Sequence, residues 1–204
     1  MRPTPRTRPV YRSVTAGLAV IALSWALGAG SACRRASSDR TTPSAVSPSS
    51  DPVARGRYLV TIGGCNDCHT PWKMGPRGPE PDTSRLLSGH PEGLKMPVPP
   101  RVDAPWGWYG ALTNTAFAGS WGISYAANLT PDPDTGLGAW TEAIFMQALR
   151  TGRHMGTGRP IMPPMPWQNL SRMTDEDLRA IFAYLRMVPP IRNHVPDYEP
   201  PPGP

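Results

Sequence analysis

The chain has 204 residues, of which 39% are hydrophobic and 18% are charged. Its 28 prolines and 20 glycines exclude a fold of long regular elements and favour one compact, loop-rich domain with loose ends. The net charge of +6 does not indicate a nucleic-acid partner, because much of it comes from Arg2, Arg6, Arg8 and Arg12, ahead of the first hydrophobic run.

Residues 1–32 have the three-part form of a bacterial export signal. A basic start is followed by an apolar run over residues 14–27 and by small residues that end in GAGSAC. This ending resembles a lipobox, with Gly30 where leucine is usual, and predicts that Cys33 becomes a lipidated first residue. An ordinary cleaved signal and a retained anchor are the alternatives, and all three place the domain on the periplasmic or cell-surface side of a bacterial membrane.

Residues 33–52 are rich in Ser, Thr and Pro and lack apolar periodicity. Such a segment buries too little surface to fold, so we predict a flexible tether ahead of a domain at residues 53–192. Residues 193–204 form a similarly extended Pro-rich tail, which is predicted to lie on or off the domain surface.

The first predicted helix begins after Asp51, a capping residue, with Pro52 in its first position. Gly63 and Gly64 end this helix. The motif CNDCH follows directly.

Several chemistries could use Cys65 and Cys68 followed by His69. A disulfide would close a small, strained loop, and a thioredoxin-like pair requires a preceding strand that the sequence does not show. Zinc requires further ligands, but the other three histidines are scattered and Cys33 is the one further cysteine. The motif therefore predicts one covalent haem, with thioethers at Cys65 and Cys68 and His69 as the proximal iron ligand.

Two further helices are predicted in the second half of the chain. The earlier one follows the capping residue Thr141 and ends at Gly152, and the later one follows Thr174 and stops before Pro189. Both carry apolar residues at helical spacing. Because no segment shows convincing strand alternation, we expect an all-α domain with long irregular loops between its first and second helices.

Between these two helices lies GRPIMPPMPW, whose four prolines predict a stiff, extended loop. Such a loop can hold a thioether against a flat cofactor, so Met165 or, alternatively, Met162 is predicted to bind the iron on its distal side. Both could instead fill the core. His154 and Met155 are weaker candidates for the same position.

The order of helix, CxxCH, long loop, helix, Pro-flanked Met and helix resembles the class I c-type cytochromes. The likeness is carried by GRYLVTIGGCNDCHTPW, ANLTPDPDTGLGAWTEAIFMQALRTGRHM and PPMPWQNLSRMTDEDLRAIFAYLRMVPPI. The chain is most similar to haem domains in cytochrome subunits of bacterial membrane dehydrogenases, although their multi-haem members repeat CxxCH and this chain has it once. The resemblance implies an all-α cytochrome c-like fold of a few short helices around one haem c, with Met165 as the distal ligand.

Aromatic residues crowd the segment 70–127, and we interpret most of them as packing for a domain with little regular structure. Trp121 and Tyr125 are the two expected nearest the haem. Four residues are candidate hydrogen-bond donors to the haem propionates: Asn128, Trp140, Arg150 and Trp167.

These features predict a protein that carries single electrons between a redox donor protein and a redox acceptor protein outside the cytoplasmic membrane. We expect no catalysis on a small-molecule substrate and no nucleic-acid binding. The alternatives are a haem sensor whose distal Met gives way to a gas, and an electron-entry subunit of a membrane dehydrogenase. Peroxide reduction is disfavoured, because a methionine is predicted to occupy the distal iron position and the sequence shows no evident distal His or Arg pair.

Overall fold

The computed structural model of the protein describes residues 51–99 and 105–201. The predicted export signal, Cys33 and the tether lie outside these residues, apart from Asp51 and Pro52 at the start of the first helix. No helix in the described part of the chain has the length and apolar character needed to cross a lipid bilayer.

Five α-helices occur in the described ranges, and the three predicted from sequence are among them. These helices are α1 (Pro52–Ile62), α2 (Cys65–His69), α3 (Glu142–Thr151), α4 (Trp167–Leu170) and α5 (Asp175–Leu185), with short 3-10 turns at Thr83–Arg85 and His154–Gly156. The predicted caps are confirmed, since the side chains of Asp51, Thr141 and Thr174 each accept a backbone N–H of the first helical turn.

The prediction of an all-α domain is wrong, because the described residues also contain two antiparallel sheets. Strands β1 (Trp72–Gly75) and β2 (Gly78–Pro81) form a hairpin, and β3 (Trp108–Gly110), β4 (Ala116–Gly119) and β5 (Gly122–Tyr125) form a sheet in the order β3-β4-β5. Each strand has only three or four residues.

The strands gave little signal in the sequence for a physical reason. Three successive residues are buried in each of β4 and β5, so these strands do not alternate between an apolar and a polar face. Periodicity cannot separate so short an apolar run from loop packing. The segment read as irregular loop therefore holds all five strands of the described chain.

The core lies between α1, α3 and α5, and its closest approach is at Gly56. A side chain there would put its Cβ 1.9 Å from the carbonyl oxygen of Ala180 and 2.8 Å from the Cβ of Tyr184. Glycine thus lets the backbones of α1 and α5 come together. Phe145 and Phe182 pack beside this contact in the same apolar cluster, with ring centroids 5.2 Å apart.

The C-terminal segment is hydrogen-bonded to the domain in its described part, which ends at residue 201. Glu199 pairs with Ile123 through two backbone hydrogen bonds and so continues the sheet beyond β5. Tyr198 donates its hydroxyl to the carbonyl of Trp121, and Asn193 is 1% exposed. This segment therefore covers an edge of the sheet that would otherwise be open.

Replacing Gly56 by Ala is expected to lower the free energy of unfolding by about 2–3 kcal/mol, because the added methyl group forces α1 and α5 apart. Urea unfolding of the haem-loaded protein, followed by circular dichroism, measures this change. The matched control is Gly93→Ala, since nothing lies within 4 Å of a Cβ built there. Equal unfolding midpoints for the two variants would contradict the close-contact account.

Candidate haem site

The attachment motif is a single helical turn set off from α1 by a glycine corner. Gly64 has φ 67°, a left-handed conformation that suits glycine, and α2 begins at the next residue. Cys65 and Cys68 are one turn apart and so lie on the same side of α2, and both are half-buried free thiols. Their spacing suits two bonds to one edge of a flat group.

The protein keeps both sulfurs in the thiol form. Burial raises the pKa of the Cys65 thiol to about 11, and burial together with the charge of Asp67 raises the pKa of Cys68. Addition of a thiol across a vinyl group consumes the S–H bond and leaves a thioether. Burial therefore disfavours the thiolate form of both cysteines in the folded protein.

His69 closes α2 and is 7% exposed. Its Nδ1 lies 2.7 Å from the carbonyl oxygen of Ala127, so Nδ1 carries the hydrogen and donates it. Burial lowers the pKa of His69, while the bond to Ala127 acts in the opposite direction. The imidazole is therefore neutral, and its Nε2 lone pair is available to a metal.

The backbone around His69 is held in place by the segment that follows β2. The carbonyl of His69 accepts the N–H of Gly89 at 2.8 Å, and the hydroxyl of Thr70 accepts the N–H of Leu87 at 2.9 Å. Thr70 and Leu87 are at most 1% exposed. These bonds fix the chain at His69 and Thr70, and the bond to Ala127 fixes the ring.

The two candidate distal ligands lie on one tight turn. Met162 and Met165 are both half-buried, and the N–H of Met165 donates to the carbonyl of Met162 at 3.3 Å across Pro163 and Pro164. Ile161 ties the start of this turn to α3 by donating to the carbonyl of Gly152 at 2.8 Å. The residues Met162–Met165 are called the methionine turn below.

The structure connects Trp121 to the methionine turn and Tyr125 to the C-terminal segment. The indole of Trp121 donates to the hydroxyl of Ser124 at 3.2 Å, and that hydroxyl donates to the carbonyl of Pro163. Tyr125 donates its hydroxyl to Glu199, and burial together with this bond raises its pKa.

Asn128 and Arg150, two of the four candidate propionate donors, are engaged with other protein groups. The amide of Asn128 donates to the carbonyl of Ile191 at 2.8 Å and to the hydroxyl of Thr135 at 3.2 Å. The guanidinium of Arg150 donates to the Asp175 carboxylate at 2.6 Å and to the carbonyl of Ser171. These bonds anchor loops, and a propionate role for Asn128 or Arg150 stays a prediction.

The other two candidates pack through their rings. Trp140 meets the ring of His154 edge-on, with centroids 5.2 Å apart. Trp167 covers Gly152, where a Cβ would come within 2.3 Å of the indole. Both tryptophans therefore lie beside the segments that carry the methionine turn.

Two donors that the sequence did not single out fit a group with carboxylates. The Nε of Arg85 and the indole nitrogen of Trp72 are buried and have no hydrogen-bond partner in the protein, although Arg85 also donates through Nη2 to Asn193 at 2.8 Å. In the sequence, both residues lie between the attachment motif and Gly89, whose N–H donates to the carbonyl of His69. Buried donors of this kind match propionate oxygens, so the residues present fit haem.

A one-turn CxxCH helix, a buried neutral histidine and a proline-stiffened methionine turn together define a protein domain that binds haem covalently. A cytochrome c family model matches residues 53–189. The chain belongs to the cytochrome c family. Its cofactor is haem c, and its role is electron transfer.

Several curated proteins are similar to this chain over most of its length. One of the subunits of nicotinate dehydrogenase from Pseudomonas putida is 30% identical over 159 residues, which are 76% of this chain and 10% of that protein. The cytochrome c subunit of the quinone alcohol dehydrogenase of Gluconacetobacter polyoxogenes is 30% identical over 149 residues, which are 72% of this chain and 24% of that subunit. A dihaem cytochrome c-type protein of Cereibacter sphaeroides is 28% identical over 183 residues, which are 88% of this chain and 49% of that protein. The chain thus matches half or less of each of these relatives.

The bond between Arg150 and Asp175 gives a pH-dependent prediction. The hydrogen bond from Arg150, aided by the charges of Arg150 and Arg179, lowers the pKa of Asp175 below its ordinary 3.8, although desolvation opposes this. A depressed folded-state pKa stabilises the protein above pH 3.8, and this stabilisation is lost as the pH falls through the folded value. Asp175→Asn should therefore lower the urea midpoint at neutral pH, by a smaller margin as the pH falls below 3.8.

Glu176→Gln is the control, because it removes a carboxylate from the same first turn of α5 without touching the Arg150 bond. The effect of Asp175→Asn should exceed that of the control at neutral pH. A difference that does not change down to strongly acidic pH would refute the role given to this ion pair.

Proposed function

We propose that this chain is a mono-haem electron carrier in which Cys65 and Cys68 form the thioethers, His69 is the proximal ligand and Met165 is the distal ligand. The single observation that carries the proposal is the buried His69, whose Nδ1 donates to Ala127 and whose Nε2 is left for iron. Bound haem supplies a couple that gains and loses one electron. The surrounding residues hold the ligands still and so keep reorganisation on electron transfer small.

Met165 is favoured over Met162 by its backbone bonds. Its N–H donates to Met162, and its carbonyl accepts the N–H of Trp167 at 2.9 Å. The backbone of Met165 is thus fixed on both sides, and less conformational entropy is lost when its thioether binds. The prolines on either side restrict the chain further.

The partner we propose is a dehydrogenase that passes electrons to this haem. The names of the relatives support this, since they include cytochrome subunits of alcohol, fructose and gluconate dehydrogenases. The chain spans at most about a quarter of those three subunits. We therefore extend to it only the general role, which is to accept single electrons from a dehydrogenase and pass them to a further redox protein.

We further propose that the domain works outside the cytoplasm of a bacterium, held to a membrane by a lipid on Cys33. The GAGSAC ending and the Ser/Thr/Pro-rich tether support this proposal. A flexible tether lets a small domain reach both of its partners while it stays close to the membrane. Anchoring the carrier to the membrane raises its effective concentration near membrane-bound partners.

Replacing Met165 by Ala should remove the weak far-red absorption band that a thioether–iron bond gives to ferric haem, and should lower the reduction potential. Met162→Ala should leave both the band and the potential nearly unchanged. Optical spectra and a redox titration of the purified holoprotein measure these effects. The reverse pattern would assign the distal position to Met162, and high-spin iron in the unmodified protein would instead favour a gas-binding role.

The holoproteins in this comparison should all keep haem after acid–organic extraction, because the attachment cysteines are intact. A Cys65→Ala, Cys68→Ala double variant provides the reference, and its chain mass should equal that of the polypeptide without haem. Retention of covalent haem by the double variant would overturn the attachment assignment.

Replacing Cys33 by Ser should move the protein from the membrane fraction to the soluble fraction while its haem spectrum stays the same. The proposed lipid is attached to the sulfur of Cys33 through a thioether, whereas the haem domain does not use that sulfur. Cell fractionation and mass measurement of the N-terminal peptide test this prediction. An unsubstituted protein that is lipid-free and yet found on the membrane would favour a retained N-terminal anchor.

A further inference from the structure

We infer that Ser124, on strand β5, is a positioning residue that fixes the methionine turn and so limits opening of the distal iron position. This inference rests on the proposed function, in which a methionine of that turn binds the iron. It concerns a residue that does not touch the iron and that no feature of the sequence singled out.

The hydroxyl of Ser124 has one hydrogen, and the geometry decides where it goes. Its oxygen is 2.5 Å from the carbonyl oxygen of Pro163 and 3.4 Å from that of Phe117. The shorter contact takes the hydrogen, so Ser124 donates to Pro163. Ser124 is 6% exposed, and water therefore competes little for this bond.

Trp121 orients the Ser124 hydroxyl. The indole N–H donates to the Ser124 oxygen at 3.2 Å and thereby occupies one of its lone pairs. The hydrogen of the hydroxyl is left to point towards Pro163. Two successive hydrogen bonds thus join Trp121 to Ser124 and Ser124 to the methionine turn.

The methionine turn needs a donor from outside because of its own composition. Prolines at positions 163 and 164 within the turn, and at 160 and 166 on either side of it, carry no N–H. They stiffen the turn internally, but stiffness does not set where the turn lies relative to the rest of the protein. The bond from Ser124 to the Pro163 carbonyl supplies that link at the middle of the turn.

Strand β5 is a suitable anchor for this bond. It pairs with β4 on one side, and on the other side Ile123 exchanges two backbone hydrogen bonds with Glu199. Ser124 therefore projects from a strand that is held on both edges. Loss of its hydroxyl should leave the strand in place and release only the turn.

The test uses imidazole, which binds ferric haem only in molecules whose distal methionine has dissociated. In Ser124→Ala the apparent affinity for imidazole should rise roughly five- to tenfold, the factor expected when one net hydrogen bond no longer favours the closed form. Covalent haem content and the circular dichroism spectrum should stay the same. The matched control is Ser171→Ala, which removes a serine bond to the backbone carbonyl of Gln168 outside the turn.

A second variant keeps the inference testable if Ser124→Ala does not fold. Trp121→Phe retains the Ser124 hydroxyl but removes its orienting donor, and the imidazole affinity should then rise about two- to threefold. If Ser124→Ala folds and its imidazole affinity is unchanged, the inference is overturned. If Ser124→Ala does not fold, an unchanged imidazole affinity in Trp121→Phe overturns it.

The ligand assignment and the role of Ser124 fail in different ways. Met165→Ala should bind imidazole with the full affinity of an open haem, and Met162→Ala should not. If neither methionine variant changes imidazole binding, the ligand assignment fails. If Met165→Ala opens the iron while Ser124→Ala behaves like Ser171→Ala, the ligand assignment stands and the role of Ser124 is wrong.

Discussion

One hydrogen bond, from the imidazole of His69 to the carbonyl of Ala127, sets the chemistry of the site. A buried histidine can present either ring nitrogen to a metal, and a bond at Nδ1 decides the choice in favour of Nε2. The same bond joins α2 to a loop 58 residues further along the chain. The orientation of the imidazole is therefore coupled to the tertiary fold through a backbone atom that substitution of Ala127 cannot remove.

The carbonyl of Ala127 lies in a loop, and hydrogen bonds between loops hold this region in place. Asn128, next to Ala127, accepts from Thr130 and donates to Ile191, and Asn193 donates to the carbonyls of Ser88 and His90. Segments near residues 88, 128 and 192 are thus joined by side-chain amides rather than by helix packing. Satisfying buried backbone groups in this way allows a Pro- and Gly-rich chain to form a rigid pocket with few long elements.

Local features could be predicted from the sequence, whereas distant pairings could not. The helix caps and CNDCH depend on residues within a few positions of each other, and the structure has the caps where they were expected. The Ser124 bond to Pro163 spans 39 residues and the Asn193 bond to Ser88 spans 105, so neither leaves a pattern in any short window. The bond from Arg150 to Asp175 likewise leaves no short-range pattern, because the two residues become adjacent only after folding. Strands β4 and β5 escaped prediction because three successive residues of each are buried, so neither strand alternates in polarity.

The pairing of Glu199 with Ile123 also bears on the order of events during biosynthesis. A polypeptide emerges from its N-terminus, so the cysteines of α2 exist well before the residues that complete the sheet and deliver Asn193 to its partners. Until Asn193 is present, the carbonyls of Ser88 and His90 lack the side-chain donor that they have in the folded domain. The loops around the imidazole therefore reach their final arrangement only after a residue 105 positions beyond Ser88 has been added.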